Sequence, residues 1–519
     1  MRYTNQMSED SISPGDPIFD EQSKTLLIPV SKRDISHIQF LEDFVSANGF
    51  QEKNEFHITI VGFDAARKII KNISHLPRVD QEKIFAKIQN SAKNLDWSFV
   101  FKNDIYHLKK IYQSKDKGEE VRESIIRMVD VPALPSFYKE LVALTGVELN
   151  NPPAHITLYA KSTIEENQLA GIGVTSAVDL KTYFVKQITD TDFTQNKFHT
   201  IVFPTRPQPD TLIAVLILKE LGSELFENVQ DIQYEVIPQL PEGQTEKSMA
   251  KAGKILIDVG KGIFDHHSKP FPITASNLIT LFLGQEKNKA LSKFLQLAER
   301  DDFFGKGTIS DDPLDRTFGL PGVLSALNKD NVDNPKNVFQ IMLPILQSIY
   351  KEEIRRAFEL PKELEEKISQ GKAQMFKTKH RGTQLKCIYI ETDNTSMAGF
   401  LRSHKGGNYD VVALRLSAGH TNILTRANPH LKIDLRSLAV LIRVEEASAR
   451  GISLNEDTNA LSLPTIISEI PMWYYDTATN SLLNGGPNPK DIEATIIDSF
   501  VMIKLIEVGL AEKLWSPKA

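Results

Sequence analysis

Two short strings pair the side chains of acid–base chemistry at strand-like spacing: Phe56-His57-Ile58-Thr59-Ile60 and Ala154-His155-Ile156-Thr157-Leu158. Residues two apart on a strand share a face. Each string therefore sets an imidazole beside a hydroxyl, while the isoleucine between them turns into packing. Histidine titrates near neutrality, so two imidazoles can take a proton on one side of a phosphorus atom and supply one on the other. The threonine hydroxyls can donate to non-bridging oxygens as charge develops there. Opening a 2′,3′-cyclic phosphate or cleaving a 2′–5′ linkage in this way calls for no metal. A single triplet is explained by the β-propensity of threonine. Two triplets with the same central isoleucine, in one compact unit, point to a joint site.

A second constellation follows a strand-like run. Ile255-Leu256-Ile257-Asp258 ends in a carboxylate, and Asp265-His266-His267 comes soon after. Ligands of open α/β sheets bind at the carboxyl ends of strands. Aspartate with histidine suits a divalent transition metal such as manganese. The bland alternative is a polar turn without a ligand.

The elements that must position these residues read as follows. A polar lead-in rich in Ser, Pro, Gly and Asp covers 1–20 and is expected to be disordered. Residues 21–168 form an α+β unit. Its strands are Thr25–Val30, the two histidine strings, and Trp97–Phe101 with Ile105–Tyr112 as a hairpin partner; its helices are Asp34–Asn48, Gln81–Lys93 and Pro135–Thr145. His37 and His107 belong to no motif and read as ordinary surface or strand residues. Residues 169–195 read as a linker. From 196 to 375, strands alternate with helices, which predicts a doubly wound parallel sheet with a helical extension. The last unit, 376–519, reads as a smaller α/β domain that ends in a helix from Asp491 to Leu510. There, Gly419 and the Asn484-Gly485-Gly486 turn, Arg415, Arg426, Arg436 and Arg443, and Trp473-Tyr474-Tyr475 are weaker ligand candidates. Turns, surface charges and core aromatics explain them more simply.

At 519 residues the chain exceeds one ordinary core. Its net charge of −6 sets up no global field that would attract nucleic acid, although a local basic groove is compatible with it. The apolar stretch Leu212–Leu218 is too short to span a bilayer, and the first residues lack an apolar signal core. A single cysteine, Cys387 in an apolar run, rules out an internal disulfide framework and a Cys-based zinc site. A cytoplasmic protein with no membrane contact is expected, and a homodimer is compatible with the sequence.

The two histidine strings resemble the H-x-[ST] motifs of the two-histidine (2H) phosphoesterases, which include cyclic phosphodiesterases and 2′–5′ RNA ligase-like proteins. His57 with Thr59 and His155 with Thr157 match without departure, and the resemblance covers about 22–165. It implies a bilobed α+β cleft, activity on nucleotide phosphodiesters, and no cofactor. The motif leaves open which histidine is the acid.

The region from about 196 onward resembles the DHH phosphoesterase superfamily, which includes exonucleases, exopolyphosphatases and small-nucleotide phosphodiesterases. Asp258 matches its second motif and Asp265-His266-His267 its third; Asp301, or its neighbour Asp302, falls at the fourth. The first motif, usually H-x-x-P-D-x-D, departs: Arg206-Pro207-Gln208-Pro209-Asp210-Thr211-Leu212 keeps Asp210 and loses a histidine and an aspartate. Arg206 would place a fixed positive charge near the site. The implied metal set is Asp210, Asp258, His266, His267 and Asp301, with manganese as the ion.

Together these readings predict a multidomain phosphodiesterase for RNA ends or small nucleotides. His57 and His155 are its acid and base, Thr59 and Thr157 its phosphate donors, and an eroded DHH-like module is the second site. The alternatives are a manganese-dependent DHH-type nuclease or pyrophosphatase, and a non-catalytic nucleotide-binding protein.

Overall fold

The computed structural model describes residues 11–511 apart from 36–37, 115–117, 192, 194–196, 306–309, 428–429, 432, 456 and 486–490. His37, Gly486 and the first half of the lead-in lie outside the described residues. The fold is mixed α/β, with an antiparallel, a parallel and a mixed sheet. The chain divides into two compact units, Met1–Gln347 and Ser348–Ala519.

The first sheet has eight strands: β1 (Ile18–Phe19), β2 (Leu26–Val30), β3 (Gln51–Glu52), β4 (Phe56–Val61), β5 (Val100–Ser114), β6 (Gly118–Asp130), β7 (His155–Ser162) and β8 (Phe184–Ile188). Their order is β1-β2-β4-β7-β6-β5-β8, with β3 paired to β7. One face is apolar. Ile28, Ile58, Ile60, Ile125, Ile156 and Leu158 form a single core with Leu41, Ile69, Phe85 and Phe137 from the covering helices. Strand alternation then turns the residues between these isoleucines toward the other face.

Three expectations for this region are corrected. The lead-in is partly built into the sheet: Ile12 exchanges backbone hydrogen bonds with Phe99, and Ile18–Phe19 pairs with Leu26–Leu27. Ile12 and Phe19 pack against the core of the sheet, Phe19 near Phe85, while Ile18 stays exposed. Residues 105–112 are not the partner of 97–101. Both belong to the run into β5, and Lys102–Asp104, which reads as a turn, is a register irregularity within that strand; the true partner is β6. The expected linker holds a helix, Ala177–Tyr183, and the edge strand β8, paired to β5 from Ile105 to Leu108. Leu180 and Phe184 are buried and anchor it.

Within the same unit, β9 (Thr200–Phe203) lies between β10 (Gln233–Val236) and β11 (Lys254–Leu256) in a three-stranded parallel sheet. The helix after β9, Pro209–Leu221, is buried from Pro209 through Leu218. It packs against helices Ala275–Phe282 and Ser292–Phe304.

The second unit begins at Ser348 rather than near 376. Leu360, on helix Leu360–Ser369, is part of the core that holds Ile388 and Ile390, which ties this helical stretch to the last sheet. That sheet comprises β12 (Ala373–His380), β13 (Thr383–Glu391), β14 (Val411–Arg415), β15 (Thr421–Thr425), β16 (Ile466–Ile467), β17 (Ile470–Asp476) and β18 (Ser481–Leu483), in the order β12-β13-β14-β15-β18-β17-β16. The final helix is shorter than expected, Ser499–Gly509, with Asp498 capping the Val501 amide at 2.9 Å. The preceding residues stay out of the helix, with the amides of Thr495 and Ile496 taken by Asn484 and Glu446. Cys387 is a fully buried strand residue.

Candidate functional site

The histidine strings sit on adjacent strands. β4 and β7 run antiparallel, with Ile58 opposite Ile156. That register sets His57 abreast of Thr157 and Thr59 abreast of His155. Cross-strand neighbours of this kind have Cβ atoms roughly 4.5–5.5 Å apart. Both isoleucines are buried, whereas the two histidines and two threonines are half-buried on the opposite face.

The two imidazoles differ in what holds them. Nδ1 of His155 lies 2.7 Å from the Pro153 carbonyl oxygen. A carbonyl only accepts, so Nδ1 carries the proton and Nε2 of the neutral ring keeps a free lone pair. Burial pushes the His155 pKa down, against the opposing pull of the Pro153 carbonyl, and His57 adds a further lowering charge. His57 is also lowered, first by burial and then by the Lys53 ammonium, with Glu55 opposing.

Lys53 was not marked by any motif. It is half-buried, its Nζ donates to the Leu169 carbonyl at 2.5 Å, and its own pKa is lowered by burial. The sole hint in the sequence is its place four residues before His57. The stretch from Leu169 onward forms a wall of the site. Gly171 lies against Thr157, where a Cβ would be 3.7 Å from Oγ1, and the Ile172 amide is tied to Ser124 Oγ at 3.1 Å. A cleft of about 210 Å³ opens beside Thr59, floored by Tyr138 and Val174. His107 lies elsewhere, buried against Phe44 and Phe50 with its Nε2 2.6 Å from Glu123, and reads as structural.

The second cluster gathers at the carboxyl ends of β9 and β11. Asp258 follows β11 in a left-handed conformation, φ 58°, and is buried. His266 Nδ1 and His267 Nδ1 each lie 3.4 Å from Asp258 Oδ1, and His266 Nε2 lies 3.7 Å from Asp302 Oδ2. Asp258 Oδ1, His266 Nδ1 and Asp302 Oδ2 are buried without a hydrogen-bond partner. Two ligands on one first-row ion, each about 2.1 Å from it, sit roughly 3.0–3.5 Å apart. Two overlapping groups result, Asp258 with His266 and His267, and Asp210 with His266 and Asp302; within each the candidate ligand atoms lie within 4.8 Å of one another, which fits a divalent transition metal. Asp265 orients the set: its carboxylate accepts from the Lys261 and His267 amides and from His267 Nδ1.

One expected ligand gives way to its neighbour, and another gains a second task. Asp302, not Asp301, joins the cluster; successive helical residues point about 100° apart, and the helix Ser292–Phe304 turns Asp302 inward. Asp210 is fully buried, with Oδ2 3.4 Å from His266 Nδ1, and stays in the cluster with His266 and Asp302; its two oxygens also accept from the Ala275 amide at 2.7 Å and the Ser276 amide at 2.9 Å, which leaves each a lone pair for an ion. It caps the helix Ala275–Phe282. Arg206 is exposed and forms no ion pair with the cluster. Thr211, from the eroded motif, donates to Asp258 Oδ2 at 2.7 Å. Burial and the neighbouring Asp210 raise Asp258 to about 6 and Asp302 to about 7. Burial disfavours a charge on His266, yet Asp210, Asp258 and Asp302 together raise its pKa to about 9.

In the second unit several of the weaker candidates are committed to structure, while Tyr474 is exposed. Arg443 is fully buried and donates to the carbonyls of Leu461 and Leu463; Arg426 pairs with Asp410 and Arg436 with Asp434; Trp473 is buried with Nε1 on Glu446.

Compared with known proteins, the chain matches no family model, and no curated protein matches it. The geometry therefore carries the functional reading by itself.

Proposed function

We propose that the protein is a phosphodiesterase acting on RNA ends or small nucleotides that carry a 2′,3′-cyclic phosphate or a 2′–5′ linkage, and that its site is the face shared by β4 and β7. The observation that carries this reading is the Ile58–Ile156 register, which pairs each histidine with the other strand's threonine. Neutral His155 takes a proton from water at Nε2 as the oxygen attacks phosphorus. Protonated His57 gives a proton to the departing ribose oxygen as the P–O bond breaks. Thr59, Thr157 and Lys53 stabilise the charge that builds on the non-bridging oxygens. On this reading the sheet of β1–β8 is a 2H-type fold. A panel of 2′,3′-cyclic nucleotides, 2′–5′ oligonucleotides and short 3′–5′ RNAs, run with and without manganese on wild type and His57→Ala, tests it. Activity that survives chelator and vanishes in His57→Ala supports the reading; activity lost in chelator and intact in His57→Ala rejects it.

A second reading rests on the three orphaned ligand atoms of Asp258, His266 and Asp302. Here the DHH-like portion is a manganese-dependent phosphoesterase. The ion would supply Lewis acidity and an activated water. Binding of a cyclic nucleotide without turnover in either metal condition would instead favour a nucleotide-binding protein.

A further inference from the structure

The cleft beside Thr59 has a composition of its own. Its buried floor is apolar: Val174, and Tyr138, whose hydroxyl is spent on the Ile60 carbonyl at 2.8 Å. Around it stand four exposed polar side chains, Asp64, Lys68, Glu148 and Asn150. None of the four makes a hydrogen bond or ion pair among the described residues, so their donors and acceptors are available to a ligand. An apolar floor with convergent polar groups suits a heterocycle. Three carboxylates, Asp64, Glu148 and the Thr175-bonded Asp179, against the one ammonium of Lys68 disfavour a second phosphate and favour a group rich in donors.

We propose that this cleft is the base subsite of the two-histidine site and selects guanine; the inference rests on the phosphodiesterase reading above. A carboxylate accepts two parallel N–H groups. Guanine alone among the common bases presents adjacent N1–H and N2–H donors beside a carbonyl. Asp64 or Glu148 meets the two donors, and Lys68 or Asn150 donates to O6. Uracil, adenine and cytosine each leave a carboxylate oxygen unpaired, and a site built on hydrogen bonds rejects such analogues strongly.

The test is calorimetric binding of the four nucleoside 3′-monophosphates to the full chain, with hydrolysis of the four 2′,3′-cyclic nucleotides alongside. The guanosine compound should bind about tenfold or more tightly than the uridine compound, and Asp64→Asn with Glu148→Gln should abolish that margin. Both side chains are exposed and unpartnered, and thermal melting confirms that the variant folds. Equal affinity for all four in wild type, or a margin unchanged in the double variant, overturns the subsite. The two readings fail separately: base preference in binding without hydrolysis sinks the catalytic reading and keeps the subsite, while hydrolysis without base preference does the reverse.

Discussion

Ile58 and Ile156 lie directly opposite each other on antiparallel neighbours, and both are buried. A slip of one residue in that register would turn one histidine–threonine pair into the core. The same apolar contact that stabilises the sheet therefore also sets the mutual placement of His57, Thr157, Thr59 and His155.

Removing either imbidazole should cost most of the activity on cyclic nucleotides. His57→Ala and His155→Ala are each expected to lower kcat by about 10²–10⁴, with binding affected less. Thr59→Val and Thr157→Val should cost less than either. Steady-state kinetics on a 2′,3′-cyclic nucleotide reads this directly; a histidine variant with full kcat would remove that residue from the mechanism.

The pH profile follows from burial. Both imidazoles are held below the ordinary 6.5. The base must be neutral and the acid protonated, so kcat/KM should rise through one depressed value, fall through the other, and peak on the acid side of 6.5. Lys53→Met removes a cation beside His57, so the falling limb should move to higher pH. For folding, a depressed value means stability that is fully present above 6.5 and lost as pH falls through the folded-state values. Melting temperature should therefore drop on acidification, less so in the double His57→Ala, His155→Ala variant.

Manganese should bind the second cluster and raise the melting temperature. A ligand present at a hundred times its Kd adds about 2.7 kcal/mol. Asp302→Asn and His266→Ala should abolish the shift, and Asp301→Asn should preserve it. The reverse pattern for the two neighbouring aspartates would restore the assignment based on motif spacing.

Asp210→Asn keeps the shape of the side chain and loses the charge that caps helix Ala275–Phe282 at its first two amides. A loss of about 1–2 kcal/mol in urea unfolding is expected. An unchanged midpoint would argue that Asp210 serves the metal alone.

Ending a fragment at residue 168 should leave an unstable first sheet, because β8 covers the edge of β5 and the helix Ala177–Tyr183 buries Leu180. A fragment ending at 190 should be better behaved in solution, as near-UV circular dichroism and light scattering can show.

The sequence by itself determined the features that depend on local periodicity. Alternation marked the strands holding His57 and His155, helical reading marked Gln81–Lys93 and Pro135–Thr145, and the strand-ending Asp258 and Asp265-His266-His267 announced a polar cluster at a sheet end. Only the tertiary structure decided what depends on contacts between distant segments. It showed that Asp210 also caps a helix, that Asp302 rather than Asp301 turns inward, and that Lys53 stands beside His57. It also made β8 part of the first sheet rather than linker. The physical reason is common to all four. A side chain's partners are set by register and packing between elements far apart in the chain, whereas motif and spacing report only which residues share a face of one element.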